Sequence, residues 1–304
     1  MTRKTIYFLG ILAAIIIGAF FYLNLCSECK VSVVKENVPH EEPATTSQPA
    51  NPTSYPFSVS DGGYSVEVNE SFNFNLSSPS FLMPISEKLK KGITNLEGYL
   101  NSNPGKVLNL TGFYTADEEN HTAYPNLGLA RANSVKNHLT SSGIPSTKIN
   151  TEGKLVDDMV PRKNVFLGPI SFGISKEAEN AGEQLKALYE KIKADPLVLY
   201  FHTGEAAINL SAEQRQKIAD ISSYLDKVDG AICHVVGHTD NTGARAINIT
   251  LGQERADFIK GYLISNGIAK SKIGTSSQGP DTPIASNETA EGRAKNRRTI
   301  VTLN

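Results

Sequence analysis

Apolar and polar positions change register sharply near the start of the chain. After Thr2-Arg3-Lys4-Thr5, residues 6–25 (IYFLGILAAIIIGAFFYLNL) run without a charge, and about 20 apolar residues suffice for a helix to cross a bilayer core. Apolar stretches of cleaved signal peptides are usually only about 7–15 residues long. The pattern therefore predicts a retained transmembrane helix over 6–25. Arg3 and Lys4 hold residues 1–5 in the cytoplasm by the positive-inside rule and send the rest across. Residues 26–60 then turn rich in Pro, Ser, Thr and acidic side chains, too polar to offset chain entropy by burial. They read as an extended tether with a reach on the order of 70–80 Å.

Beyond the tether the pattern becomes that of a folded chain, and it repeats. LGLARANSVKNHLTSSGIPSTKI from Leu127 lines up without a gap with LGQERADFIKGYLISNGIAKSKI from Leu251, so that Gly128 meets Gly252 and Arg131 meets Arg255. Upstream, Phe72-Asn73-Phe74-Asn75 resembles Leu199-Tyr200-Phe201-His202 more loosely, and LTGFYT around Gly112 resembles VVGHTD around Gly237. Short apolar runs at 197–201 and 231–236 predict strands. Ser211-Ala212-Glu213-Gln214 is a capping box that opens a helix with Ile218, Ile221 and Leu225 on one face. A second helix is expected over 249–265, its apolar face formed by Leu251, Phe258, Ile259 and Tyr262, with Gly267 as its stop. Strands at 273–277 and 298–303 close the series. The fold class expected is α+β: two tandem β-α-β-α-β-β sandwiches at 61–178 and 196–304, joined by a linker helix at 179–195.

Composition narrows the function. Acidic and basic residues nearly cancel, 31 against 30, so no global field draws the protein to nucleic acid, and specificity has to come from a local site. Cys26 and Cys29 sit where an oxidising compartment permits a disulfide. Cys26 is also the position through which an outer-membrane lipoprotein would be anchored, although Leu23-Asn24-Leu25 lacks the small residue such sites carry. Cys233, within an apolar run, reads as a buried small hydrophobe.

Candidate chemistry gathers in the second repeat. GHTDNTG (237–243) directly follows a predicted strand and is followed by NITLGQERA (248–256), GIAKSKI (267–273) and GRAKNRRTIV (292–301). In this order the motifs resemble the OmpA-like peptidoglycan-binding domain, over essentially residues 196–304. The resemblance implies non-covalent binding of the diaminopimelate residue of peptidoglycan stem peptides. An aspartate after the second strand and an arginine on the second helix would hold it, which here are Asp240 and Arg255. The chemistry suits those residue types. Diaminopimelate presents an ammonium and a carboxylate on one short centre; a carboxylate can accept from the first and a guanidinium can grip the second at two points.

Asn248 as a polar brace and Leu251 as an apolar wall are second-tier site residues, while Asn296, Arg297 and Arg298 are expected to fix the last strand and its loop. Where the family usually has Asn or Asp after the Phe of the first strand, this chain has His202, which alters the pocket floor and makes affinity pH-dependent through the imidazole. The competing structural reading pairs Asp240 with Arg255 as a rim salt bridge worth only about 0–1 kcal/mol.

No nucleophile motif or metal-ligand spacing supports an enzyme, a metal site or a cofactor. His234 and His238, for instance, lie too far apart on an extended strand to share a metal. A stator-like ion-channel subunit would need an acidic residue in its span, and 6–25 has none. In the first repeat Arg131 is kept, but a constant offset puts Ala116 where Asp240 stands, with Asp117 and Glu118 the nearest carboxylates. That copy reads as degenerate, suited to spacing, to a homodimer contact or to a protein partner in an envelope complex. The whole reads as a single-pass inner-membrane protein whose periplasmic part holds the cell wall.

Overall fold

Residues 51–201 and 209–304 are described by the structure, a computed structural model. The expected span at 6–25, Cys26 and Cys29, and His202 lie outside the described residues. Strand β1 (Phe57–Asp61) pairs antiparallel with β2 (Tyr64–Val68), and Phe57 and Val59 are buried in the core. The folded structure thus begins inside the segment read as tether, because the alternation in FSVSD is a strand pattern that the surrounding Pro and Ser mask.

The first half continues with β3 (Phe74–Asn75), α1 (Glu87–Ser102), β4 (Lys106–Tyr114), α2 (Leu127–Ser141), β5 (Ile149–Leu155), β6 (Val165–Phe166) and β7 (Ile170–Lys176). Its sheet has three strands in the order β5-β4-β7, with β4 parallel to β5 and antiparallel to β7. The expected fourth strand does not join it. Phe74–Asn75 pairs instead with Val165–Phe166, since the chain turns at Gly168, whose φ is +64, before β7 begins. The hairpin of β1 and β2 supplies further cover for this core, Phe57 meeting Phe172 edge-on at 4.7 Å.

After α3 (Ala181–Ala194), the second half runs β8 (Leu197–Tyr200), α4 (Ala212–Lys227), β9 (Cys233–His238), α5 (Arg245–Ser265), β10 (Ile273–Gly279), α6 (Ala290–Asn296) and β11 (Arg298–Leu303). Its sheet order is β10-β9-β11-β8, with β9 and β10 parallel and β11 antiparallel to both its neighbours. This is the expected mixed α+β sandwich, with α6 an addition the sequence pattern did not single out. The capping box at Ser211 and Gln214 forms as expected, and Cys233 is fully buried, its thiol pushed up to about 11 by that burial.

The halves share local devices. Helices α1 and α4 are both 16 residues long and both begin at a serine cap, Ser86 and Ser211. In each half a lysine at the end of a 3₁₀ turn closes the carbonyl end of that helix: Lys148 Nζ donates to Leu100 O at 2.6 Å, and Lys272 Nζ donates to Leu225 O. Both lysines place positive charge where the helix dipole favours it. In each half a strand and a helix also cross on facing glycines. A Cβ added at Gly112 would lie 2.0 Å from Gly128 O, and one at Gly237 would lie 1.8 Å from Gly252 O.

That crossing corrects two expectations. From the strand glycine to the helix glycine the first half has one residue more than the second, so Thr115, three residues past Gly112, occupies the place of Asp240, and Ala116 does not. It also fixes the face of α5. To lay Gly252 on the sheet the helix buries Asn248, Arg255, Ala256, Ile259 and Leu263, leaving Leu251 half-buried and Phe258 exposed.

The described residues belong to one compact unit, Pro49–Asn304, and polar contacts join its halves. Ala123 N donates to Asn266 Oδ1 at 2.7 Å, Asn137 Nδ2 to Gly267 O at 2.9 Å, and Lys227 Nζ to Thr147 O at 2.8 Å. Between them Lys136, only 2% exposed, forms an ion pair with Asp226 and donates to Asn133 Oδ1 at 2.9 Å. Burial presses the Lys136 amine below its ordinary range, and Asp226 draws it back.

Candidate functional site

At the end of β9 the chain leaves the sheet through His238, Thr239 and Asp240, all three largely buried. Asp240 caps its own turn, Oδ1 accepting from Thr242 N at 2.9 Å. Its other oxygen accepts from Arg297 Nη1 at 2.9 Å. Burial raises the Asp240 carboxyl, but the hydrogen bonds from Arg297 and Thr242 outweigh it and hold the group below its usual range. The aspartate is therefore ionised at neutral pH and tilted towards the start of β11.

Arg255 reaches the same corner from α5. It is 2% exposed, so it is a buried group and not one side of a rim salt bridge. Its Nη1 donates to His238 O at a long 3.4 Å, its Nε has no partner among the described residues, and its guanidinium lies 5.2 Å from the centre of the Phe201 ring. Burial and the neighbouring charge of Arg297 both press its pKa down, with Asp240 acting the other way. Among the described residues the ion-pair partner of Asp240 is Arg297, and the structural pairing of Asp240 with Arg255 is not formed.

The supporting residues divide into those that brace the corner and those that do not reach it. Asn248, 4% exposed, donates from Nδ2 to Thr242 O at 3.1 Å and so pins the loop that carries Asp240. Leu251 is half-buried on the same helix. Asn296 is fully buried and holds the loop before it: Oδ1 accepts from Ile284 N at 2.8 Å and Ala285 N at 3.1 Å, and Nδ2 donates to Ala285 O at 2.8 Å. Arg298, also buried, donates to Thr282 O at 3.1 Å. Of the three terminal residues expected to fix the last strand, Arg297 alone enters the site. Its separation of 57 positions from Asp240 explains why no local pattern points to it.

His238 lies behind the pair, its Nδ1 at 2.9 Å from Thr282 Oγ1. Burial, reinforced by the charge of Arg298, pushes the imidazole down to about 4 from its usual 6.5. The unfolded chain thus takes up this proton before the folded one does. The contribution of His238 is complete above pH 6.5 and is lost as pH falls towards 4. His238→Gln is expected to flatten the fall in melting temperature between pH 7 and 4.5, which thermal melts across that range will read.

In the first half, the counterpart arginine is satisfied by its own chain. Arg131 is fully buried and grips Glu118 at two points, with Nη1 at 3.0 Å from Oε2 and Nη2 bonded to Oε1. It also donates to Phe113 O at 2.9 Å and Ser78 O at 3.1 Å. The rings of Phe74 and Phe166 each lie 5.4 Å from its guanidinium carbon.

The second half is thus a small α+β domain with a buried arginine and an ionised aspartate near the carboxyl end of a sheet strand. Residues 200–297 match the OmpA family. Among curated proteins, the probable lipoprotein YiaD of Escherichia coli (strain K12) is 42% identical over 86 residues, 28% of this chain and 39% of that protein. The peptidoglycan-binding protein ArfA of Mycobacterium bovis is 38% identical over 107 residues, 35% of this chain and 32% of that protein. The peptidoglycan-associated lipoprotein of Haemophilus influenzae is 36% identical over 93 residues, 31% of this chain and 61% of that protein. The chain therefore spans less than two thirds of the length of each of these relatives. Among the described residues no helix is long and apolar enough to cross a membrane.

Proposed function

We propose that the protein anchors the cell envelope to its wall by binding, without catalysis, the diaminopimelate-containing stem peptides of peptidoglycan at Asp240 and Arg255. The observation that carries this reading is a buried Arg255 that makes only one long hydrogen bond among the described residues, close enough to the ionised Asp240 to feel its charge. A buried guanidinium in that condition is poorly compensated until a carboxylate reaches it. The ammonium of the same ligand centre would share Asp240 with Arg297. Two of the relatives carry peptidoglycan in their names, which supports the ligand class.

Anchorage is proposed through the N-terminal apolar segment, either as a span of the inner membrane or by lipid on Cys26; an intact-mass measurement after fractionation distinguishes the two. The two halves, with equal capped helices and matching glycine crossings, are read as duplicated domains of which the second binds the wall. A scaffold role, in which the first half holds a protein partner, is the second reading, favoured by an Arg131 already engaged within its own chain.

The full chain in detergent is expected to co-sediment with purified sacculi, and free diaminopimelate-containing stem peptide should compete it off. Folded protein that stays in the supernatant at both low and moderate salt would overturn the reading.

A further inference from the structure

The carboxylate on Arg131 is held as a ligand is held. Both side chains of the Arg131–Glu118 pair are fully covered. Besides the two-point grip, Glu118 Oε1 accepts from Ser77 N at 2.9 Å and Oε2 accepts from Thr115 N at 3.1 Å. Ser77 adopts a φ of 56, a left-handed conformation that a side chain other than glycine's seldom takes, and its N–H points at the carboxylate from there. Each oxygen thus has one guanidinium and one backbone donor, while Arg131 itself is fixed by three further carbonyls, those of Ser78, Phe113 and Asn75, and two aromatic rings.

Glu118 lies three residues past Thr115, on the loop between β4 and α2. The residue three past Asp240 in the second half is Gly243, which has no side chain to offer. One position thus separates a half whose arginine is gripped by its own loop from a half whose arginine meets no carboxylate among the described residues.

We propose that the first half contains a carboxylate-binding site permanently occupied by Glu118. This built-in ligand closes the half to wall peptides, and its truncation would create a receptor for a short aliphatic carboxylate. The site would take acetate because the donors converge on one carboxylate and alanine keeps Cβ, so that the vacated space is that of a carboxymethyl group. This holds whatever the second half binds, and its test uses no wall material.

The test is chemical rescue of Glu118→Ala in the full chain, followed by calorimetry in detergent. In chloride the variant is expected to melt about 10 °C below the native chain, because a buried cation has lost its partner. Replacing chloride by 0.1 M sodium acetate at equal ionic strength should raise that midpoint by about 3–6 °C, as expected for a ligand of roughly 10 mM affinity. The native chain and Glu118→Gln, whose pockets are full, should move by less than about 1 °C. In the double variant Glu118→Ala/Arg131→Met the rescue should vanish. If Glu118→Ala does not fold in chloride, the folded fraction on refolding in acetate against chloride replaces the midpoint; a rise supports the proposal and no rise overturns it. An equal response of Glu118→Ala and native chain to acetate, or rescue that survives loss of Arg131, overturns it.

Discussion

Arg255→Met is expected to weaken sacculus binding by a factor of about 30 to several thousand while leaving the melting temperature unchanged or higher. The binding loss follows from removing one side of a desolvated charge pair, which leaves the ligand carboxylate unmatched at a cost of about 2–5 kcal/mol. The stability clause follows from burial. Arg255 is 2% exposed, keeps one long hydrogen bond and leaves Nε unpartnered among the described residues. Filling the same volume with an apolar chain removes a poorly compensated charge, a change that is often neutral or stabilising by about 1–4 kcal/mol. Arg255→Lys should also bind poorly, since one ammonium cannot make the planar two-point contact. Sedimentation and thermal melts on the same preparations decide it. A large fall in melting temperature with unchanged binding per folded molecule would make Arg255 a structural residue.

Asp226→Ala should be the most destabilising single change between the halves. It strands the Lys136 ammonium, 2% exposed, with Asn133 as its remaining side-chain partner. Breaking a buried pair from one side typically costs about 3–5 kcal/mol, or roughly 10 °C in a domain of this size. Lys136→Met should cost less, because the Asp226 side chain is 21% exposed and can turn to water. The double change Lys136→Met/Asp226→Leu is expected to recover most of the loss. Calorimetry of the three variants checks the order, and equal losses for both single changes would contradict it.

The second half was legible because its signals are local. The capping box, the apolar runs and the motifs around Asp240 and Arg255 each occupy a few consecutive positions, and they lead to the observed strand and helix order. What stayed hidden depends on distant partners or on competing geometry. Arg297 belongs to Asp240 across 57 positions, Lys136 to Asp226 across 90, and neither separation leaves a periodic trace. On α5 apolarity alone puts Leu251 and Phe258 inward, whereas the approach of Gly252 to Gly237 dictates another rotation. In the sequence Glu118 is only one of two carboxylates near Ala116, and the fold alone brings Ser77 N and Arg131 onto it. The one-residue difference between the halves lies in a loop, where a gapless alignment of the helices carries no information.

The buried contact between the halves also has a mechanical meaning. The described chain begins in the first half, where Thr53 N donates to Val160 O at 2.9 Å and Tyr55 N to Leu167 O at 3.0 Å, whereas Asp240 and Arg255 lie in the second. Under the proposed function, tension between the N-terminal side and a ligand held at those two residues would load the covalent chain through the first half and α3, with the Lys136–Asp226 contact in parallel with that chain. The halves are folded segments in series, and the opening of the weaker one lengthens the chain without breaking it. Resistance to such a pull is set by how fast a segment opens and not by its equilibrium stability, so the seam between the halves would set when the tether lengthens, separately from when its ligand is released.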